Sequence, residues 1–282
     1  MKNFEIEKDP ELDNLLAKCK EKGLKFGLAL GSGSARGMAH IGVIQALEAY
    51  HIPIDMIAGT SIGAVVGSVY AAVATDIKTG AKVILNQGSV IRAVRASFSI
   101  PGIFTPVKYQ DYYLVDGGLV DPVPADVVKK MGADIIIAVS LTQKSPNSIL
   151  MILNRETGDL KEVEDLFNFR MYKVKNPRYK VVNKITSLVE KEVTSLGKKI
   201  KGVKKKLEGP HIIEVIFKSI DIMEKEITTR GLIGANVVII PFGIDGISLF
   251  EFDKADITIK GGIDAALAKI PQIKEVIKEK LK

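Results

Sequence analysis

Between residues 25 and 141 the chain alternates short apolar runs with stretches whose apolar residues recur every three or four positions. Residues 25–30 (KFGLAL) form an apolar run closed by a glycine and predict a strand. The Gly/Ser-rich stretch 31–37 predicts a loop. Residues 38–50 carry apolar side chains at 38, 41, 44 and 47, the spacing of one helix face. A second strand is predicted at 54–58 and a second helix at 62–70. Residues 71–75 and 82–85 predict strands around a turn at Thr79-Gly80. A helix at 89–96, a strand at 112–115 and a helix at 125–131 follow, the last capped by Gly132. Residues 134–141 (DIIIAVSL) are apolar nearly throughout, like a parallel strand covered on both faces. Near the C-terminus, 236–241 predicts a strand and 262–270 a helix. Strands alternating with helices predict a three-layer α/β/α domain with a mainly parallel sheet.

Two regions break this pattern. Residues 1–25 read as a charged extension with a short helix at 11–22. From 170 to 208 there are thirteen Lys/Arg against three Glu, a local charge of +10 that exceeds the +7 of the whole chain. Apolar residues from Val182 to Leu207 recur there at helical spacing, so this is an amphipathic, lysine-faced helix weakened by Gly197 and Gly202. The expected organisation is therefore an extension (1–25), an α/β domain (26–146 and 210–282) and a basic helical insert (147–209). The basic face has three readings: a solvated surface, an anionic membrane surface met by Lys198, Lys199, Lys201, Lys204, Lys205 and Lys206, or nucleic acid. The last fits least, because Tyr172 and Tyr179 are the only aromatics near it.

Residues 56–75 carry no charge, and Gly59, Gly63 and Gly67 fall at four-residue spacing, as in a membrane-spanning helix. Asp55 and Asp76 flank the stretch without a close Lys/Arg anchor, and a strand–turn–helix accounts for every residue in it, so no span is predicted. The N-terminus is polar and acidic, which predicts no signal peptide. A single cysteine (Cys19) and three scattered histidines give neither a disulfide framework nor a metal cluster, so no metal or cofactor is expected and a cytoplasmic setting fits.

Three motifs carry candidate chemistry. Gly59-Thr60-Ser61-Ile62-Gly63 is a G-x-S-x-G between a predicted strand and a predicted helix, the context of a nucleophile elbow. Gly31-Ser32-Gly33-Ser34-Ala35-Arg36-Gly37 also joins a strand to a helix, where backbone N–H groups stabilise a phosphate or an oxyanion. A dinucleotide site would need a carboxylate about twenty residues on, and Glu48 and Asp55 fit poorly. Arg36 is either a surface residue or a partner for a substrate phosphate. Asp116-Gly117-Gly118 ends a predicted strand; taken alone it is a common turn.

Together, and in this order, the motifs resemble the patatin-like phospholipase family of bacteria and archaea. The stretches LALGSGSARGMAHIGVIQAL, IAGTSIGA, ASFSIPGIFTPV, VDGGLVDPVP and GADIIIAVSL carry the likeness. The resemblance implies a lipid carboxylic-ester hydrolase, with Ser61 as nucleophile and Asp116 as its base in a dyad without histidine. It places an oxyanion hole in the loop of Ser32, Gly33, Ser34, Arg36 and Gly37, with backbone N–H groups around Gly33 and Ser34 as donors. Water activated by Asp116 would release the fatty acid. The chain would work in the cytoplasm, peripherally at the inner membrane face.

Two departures stand out. Serines replace family glycines at 32 and 34, and serine resists φ > 0. The block Ala74-Thr75-Asp76-Ile77-Lys78-Thr79-Gly80 follows the elbow helix almost at once, so the acyl pocket is expected to be smaller or differently built. Two alternatives stay open. One is a Ser61–Asp116–His211 triad, in α/β-hydrolase chain order; His40 reads as a packed or capping residue and His51 as a loop residue. The other is a membrane-binding or regulatory protein that keeps the fold with weak catalysis.

Overall fold

The computed structural model describes residues 9–67, 70–142 and 212–282. The basic stretch 170–208, with Lys198 to Lys206, and His211 lie outside the described residues.

The chain builds a three-layer α/β/α arrangement. Its helices are α1 (Pro10–Glu21), α2 (Ala39–Ala49), α3 (Ile62–Gly67), α4 (Val90–Ser97), α5 (Ala125–Lys130), α6 (Ile212–Gly231) and α7 (Ala255–Leu281). Its strands are β1 (Phe26–Leu30), β2 (Met56–Thr60), β3 (Ala71–Asp76), β4 (Lys82–Leu85), β5 (Val107–Tyr109), β6 (Tyr112–Asp116), β7 (Ile135–Val139) and β8 (Val237–Ile239). The sheet runs β5-β6-β3-β2-β1-β7-β8, with β4 also paired to β3. Pairs among β3, β2, β1, β7 and β8 are parallel, while β4, β5 and β6 join antiparallel.

Every residue of β1 and β7 is buried. Phe26, Leu28, Leu30, Ile135, Ile137 and Val139 face the larger core, which takes in α1, α2 and α7. Ala29, Ile136 and Ala138 face the other core, with Val127 and Val128 of α5. An apolar run without alternation is thus a strand with helices on both faces.

β3 positions the site. Ala72 and Val73 pair with β2 on one side and β4 on the other; Ala74 and Thr75 pair with β4 and β6. A strand has two edges, so β6 takes over the edge that β2 leaves. Thr60 pairs with Val73 and Asp116 pairs with the next residue, Ala74. The end of β2 and the end of β6 therefore meet, and the residue after Thr60 is Ser61.

Several elements differ from expectation. The β2 strand lies at Met56–Thr60 rather than 54–58, because its ladder continues to Leu30 and Val73. The last helix spans Ala255–Leu281 rather than 262–270, passing through Pro271. Proline removes one helix bond, but Ile270, Ile273 and Ile277 stay buried on both sides of it and hold the helix to the core. The short strand β5 was not foreseen. Helix α1 buries Leu12 and Cys19, and Lys274 of α7 pairs with Asp9 (3.0 Å) and Glu11. Among the described residues no helix is long and apolar enough to cross a membrane.

Candidate active site

Ser61 sits at the turn between β2 and α3 with φ 56, the left-handed region that a side chain rarely adopts. Neighbouring backbone enforces this. A Cβ on Gly63 would lie 2.1 Å from the Leu30 carbonyl oxygen, and one on Gly59 would lie 2.5 Å from the Ala64 nitrogen. Both glycines of the motif are thus required by close approach, as in a nucleophile elbow. The Ser61 carbonyl accepts from Ala64 N–H (3.0 Å) and Val65 N–H (3.2 Å), which starts α3. The Ser61 N–H donates to Ser97 Oγ at 2.9 Å.

Ser61 Oγ donates to Asp116 Oδ2 at 2.5 Å. The other carboxylate oxygen, Oδ1, accepts from the Gly118 N–H at 2.8 Å. The Asp116 backbone is pinned by Thr75 Oγ1 on its carbonyl (2.9 Å) and by its own N–H on Ser99 O (3.0 Å). Ser61 and Asp116 are 2% and 4% exposed. Burial pushes the Asp116 carboxyl up to about 7, against the pull of the hydrogen bonds from Ser61 and Gly118.

The glycine loop starts with Gly31, whose carbonyl bonds His40 Nε2 at 2.8 Å. His40 is fully buried, and burial lowers its value to about 4, so it is neutral there and donates from Nε2. His51 is exposed at the protein surface. In the loop, the Ser32 N–H donates to Pro122 O (2.8 Å) and the Ala35 N–H to Leu249 O (3.0 Å). Among the described residues the N–H groups of Gly33 and Ser34 have no acceptor. Ser34 takes φ 50, so the serine in place of glycine does adopt the left-handed region here. Residues 34–38 form a short 3-10 helix, which includes Gly37.

Arg36 does not present a free guanidinium. Its Nη2 donates to Asp221 Oδ1 of α6 at 2.7 Å, and the side chain is 9% exposed. One turn further along α6, Glu224 Oε1 accepts from Ser32 Oγ at 3.0 Å. Helix α6 therefore holds the loop at two points. Asp221 and Glu224 were not singled out from sequence. The available signal was their place on the inward stripe of Phe217, Ile220, Asp221, Glu224 and Thr228, where a carboxyl is buried.

Ser32, Gly33, Ser34, Ser61, Asp116 and Glu224 line one cavity of ≈ 40 Å³, walled by Ile100, Pro101, Phe217, Ile220, Leu249 and Phe250. A groove of ≈ 440 Å³ adjoins it, sharing Phe217, Asp221, Leu249 and Phe250. Phe217 and Phe250 meet edge to face at 5.3 Å in that shared wall. Among the described residues no group of His, Cys, Asp and Glu could hold a metal ion.

Residues 28–85 and 73–129 match the patatin-like phospholipase family. The match breaks into two overlapping pieces beside the short link from α3 to β3. An uncharacterized NTE family protein of Mycobacterium tuberculosis is 34% identical over 176 residues, covering 42% of this chain and 49% of the relative. Lysophospholipase nte1 of Aspergillus fumigatus is 30% identical over 189 residues, covering 45% of this chain and 12% of the relative. Patatin-like phospholipase domain-containing protein 6 of Mus musculus is 28% identical over 184 residues, covering 42% and 14%. The chain spans about half the length of the mycobacterial relative and a smaller share of the others. Since 42% of 282 residues falls well short of 176, that relative carries residues with no counterpart here. Across residues 28–129 the chain is similar to the patatin-like phospholipase family.

Proposed function

We propose that this chain hydrolyses carboxylic esters of lipids, with Ser61 as nucleophile and Asp116 as its base. The observation that carries the reading is the 2.5 Å contact between the two side chains, which both line one cavity. A carboxylate is a weak base at its ordinary value near 4, and burial brings Asp116 up to about 7, where it can take the serine proton near neutrality. Ser61 Oγ attacks the ester carbonyl and forms an acyl-enzyme, which water then cleaves. The unengaged N–H groups of Gly33 and Ser34 are the donors for the oxyanion.

The direct Ser61–Asp116 contact supports the dyad over a triad, since a triad places an imidazole between serine and carboxylate. His40 bonds the Gly31 carbonyl and His51 lies at the exposed surface, so neither stands between Ser61 and Asp116. The ≈ 40 Å³ cavity holds little more than water, so an acyl chain has room only where the wall of Phe217, Leu249 and Phe250 gives onto the adjoining groove. A single-chain lipid such as a lysophospholipid, the class in the name of the fungal relative, fits this better than a two-chain lipid. The basic stretch 170–208 is the part of the sequence suited to an anionic membrane surface.

Incubation of the full chain with lysophosphatidylcholine and with monoacylglycerol tests the reading. Fatty acid is released by wild type and not by Ser61→Ala. Equal release by both, or none from any lipid ester, contradicts it.

A further inference from the structure

Three carboxyls line the catalytic cavity: Asp116, Asp221 and Glu224. Asp221 is committed to Arg36 and Lys225, at 2.7 Å each. Glu224 has no cation partner among the described residues. Its Oε1 accepts the Ser32 hydroxyl proton, and its Oε2 has no hydrogen-bond partner there. It reaches this place because residue 118 is glycine: a Cβ there would lie 1.9 Å from Glu224 Oε1 and 3.1 Å from Ser32 Oγ. The same Gly118 gives its N–H to Asp116 Oδ1. The base and Glu224 thus flank a single residue.

Glu224 is 7% exposed. Burial pushes its carboxyl up to about 8, and the charges of Asp116 and Asp221 add to this; the Ser32 hydrogen bond and the Arg36 guanidinium oppose it. At neutral pH it carries a proton. Ser32 Oγ engages Oε1, which leaves Oε2 to carry that proton, and Glu224 lines the cavity. Two carboxyls in one site, one acting as base and one held as acid, is a recognised division of roles.

We propose that Glu224 is the acid that protonates the departing alcohol, an assignment that rests on the Ser61–Asp116 reading. In acylation the Ser61 Oγ–H bond breaks, its proton goes to Asp116, and Oγ bonds to the carbonyl carbon. The carbon–alkoxy bond then breaks, its electron pair stays on the alkoxy oxygen, and that oxygen takes the Glu224 proton. In deacylation water attacks the acyl carbon and gives a proton to the Glu224 carboxylate. The Asp116 proton returns to Ser61 Oγ as the acyl bond to it breaks. Both carboxyls end as they began.

The test compares wild type and Glu224→Gln on two esters of one acyl group, an alkyl ester and a p-nitrophenyl ester. Nitrophenolate leaves without a proton; an alkoxide does not. Glu224→Gln is expected to lower kcat/KM for the alkyl ester about 100-fold more than for the nitrophenyl ester, with fluorophosphonate labelling of Ser61 retained. Equal losses on both esters, which a loop-positioning role through Ser32 would give, overturn the assignment, and so does no loss. If the variant does not fold, the wild-type pH profile decides. Alkyl ester kcat/KM is expected to fall as pH rises through about 8 while nitrophenyl ester kcat/KM holds; parallel profiles overturn the assignment. Absence of labelling in folded wild type contradicts the dyad itself, and Glu224 with it.

Discussion

The backbone N–H of Ser61 donates to the hydroxyl oxygen of Ser97 at 2.9 Å, and that hydroxyl donates in turn to Val73 O at 2.6 Å. Ser97, at the end of α4, is fully buried. One side chain thus ties the strained elbow to the strand that sets its register against Asp116. Ser97→Ala leaves a buried N–H and a buried carbonyl without this partner. It is predicted to destabilise the fold by about 1–3 kcal/mol and to lower kcat more than it raises KM. Urea unfolding and steady-state kinetics on one ester check both. Wild-type stability with unchanged kcat would show that Ser97 does not hold the elbow.

Gly118 and Glu224 are predicted to be coupled. A methyl at 118 would collide with Glu224 Oε1, so Gly118→Ala must displace the Glu224 carboxyl from Ser32. In a Glu224→Ala background the obstructing carboxyl is gone and the same change costs less. A double-mutant cycle on unfolding free energy is expected to give a coupling of roughly 1–3 kcal/mol. Additive effects would mean that the Glu224 carboxyl does not sit against Gly118 in solution.

The buried carboxyls make stability depend on pH. Asp116 and Glu224 are held at about 7 and about 8 when folded, against about 4 in the unfolded chain. Folding favours their protonated forms. That contribution is full below about pH 4, declines as pH rises and is lost above the folded values. Wild type is predicted to melt lower at about pH 9 than at about pH 6. Asp116→Asn removes one titration, so its Tm is predicted to fall less over the same range while activity is lost. A variant whose Tm falls as steeply as that of wild type contradicts this.

The sequence made some of these relationships visible and hid others. The elbow was legible because Gly59 and Gly63 are local requirements: each faces backbone within a few residues or on the adjoining strand. The buried strand Ile135–Val139 was legible because an unbroken apolar run has few other uses. The meeting of Ser61 with Asp116 was legible only as an ordered set of motifs. The cause is the edge of β3, where Val73 and Ala74 hand over from β2 to β6, and no local pattern encodes that sharing. The inward face of helix α6 was the least legible. Its two acids look like ordinary helix residues until Phe217 and Thr228 show which face is inward. Helix α7 runs past Pro271, beyond the end predicted at 270, because Ile273 and Ile277 hold it to the core there.

The most direct test of the central claim is labelling with a fluorescent fluorophosphonate, on wild type, Ser61→Ala and Asp116→Asn, each first shown to be folded. The account predicts labelling of wild type, none of Ser61→Ala, and labelling of Asp116→Asn slowed at least about 100-fold. Labelling of Asp116→Asn at the wild-type rate would contradict the dyad, and a folded wild type that stays unlabelled would contradict an activated serine at position 61.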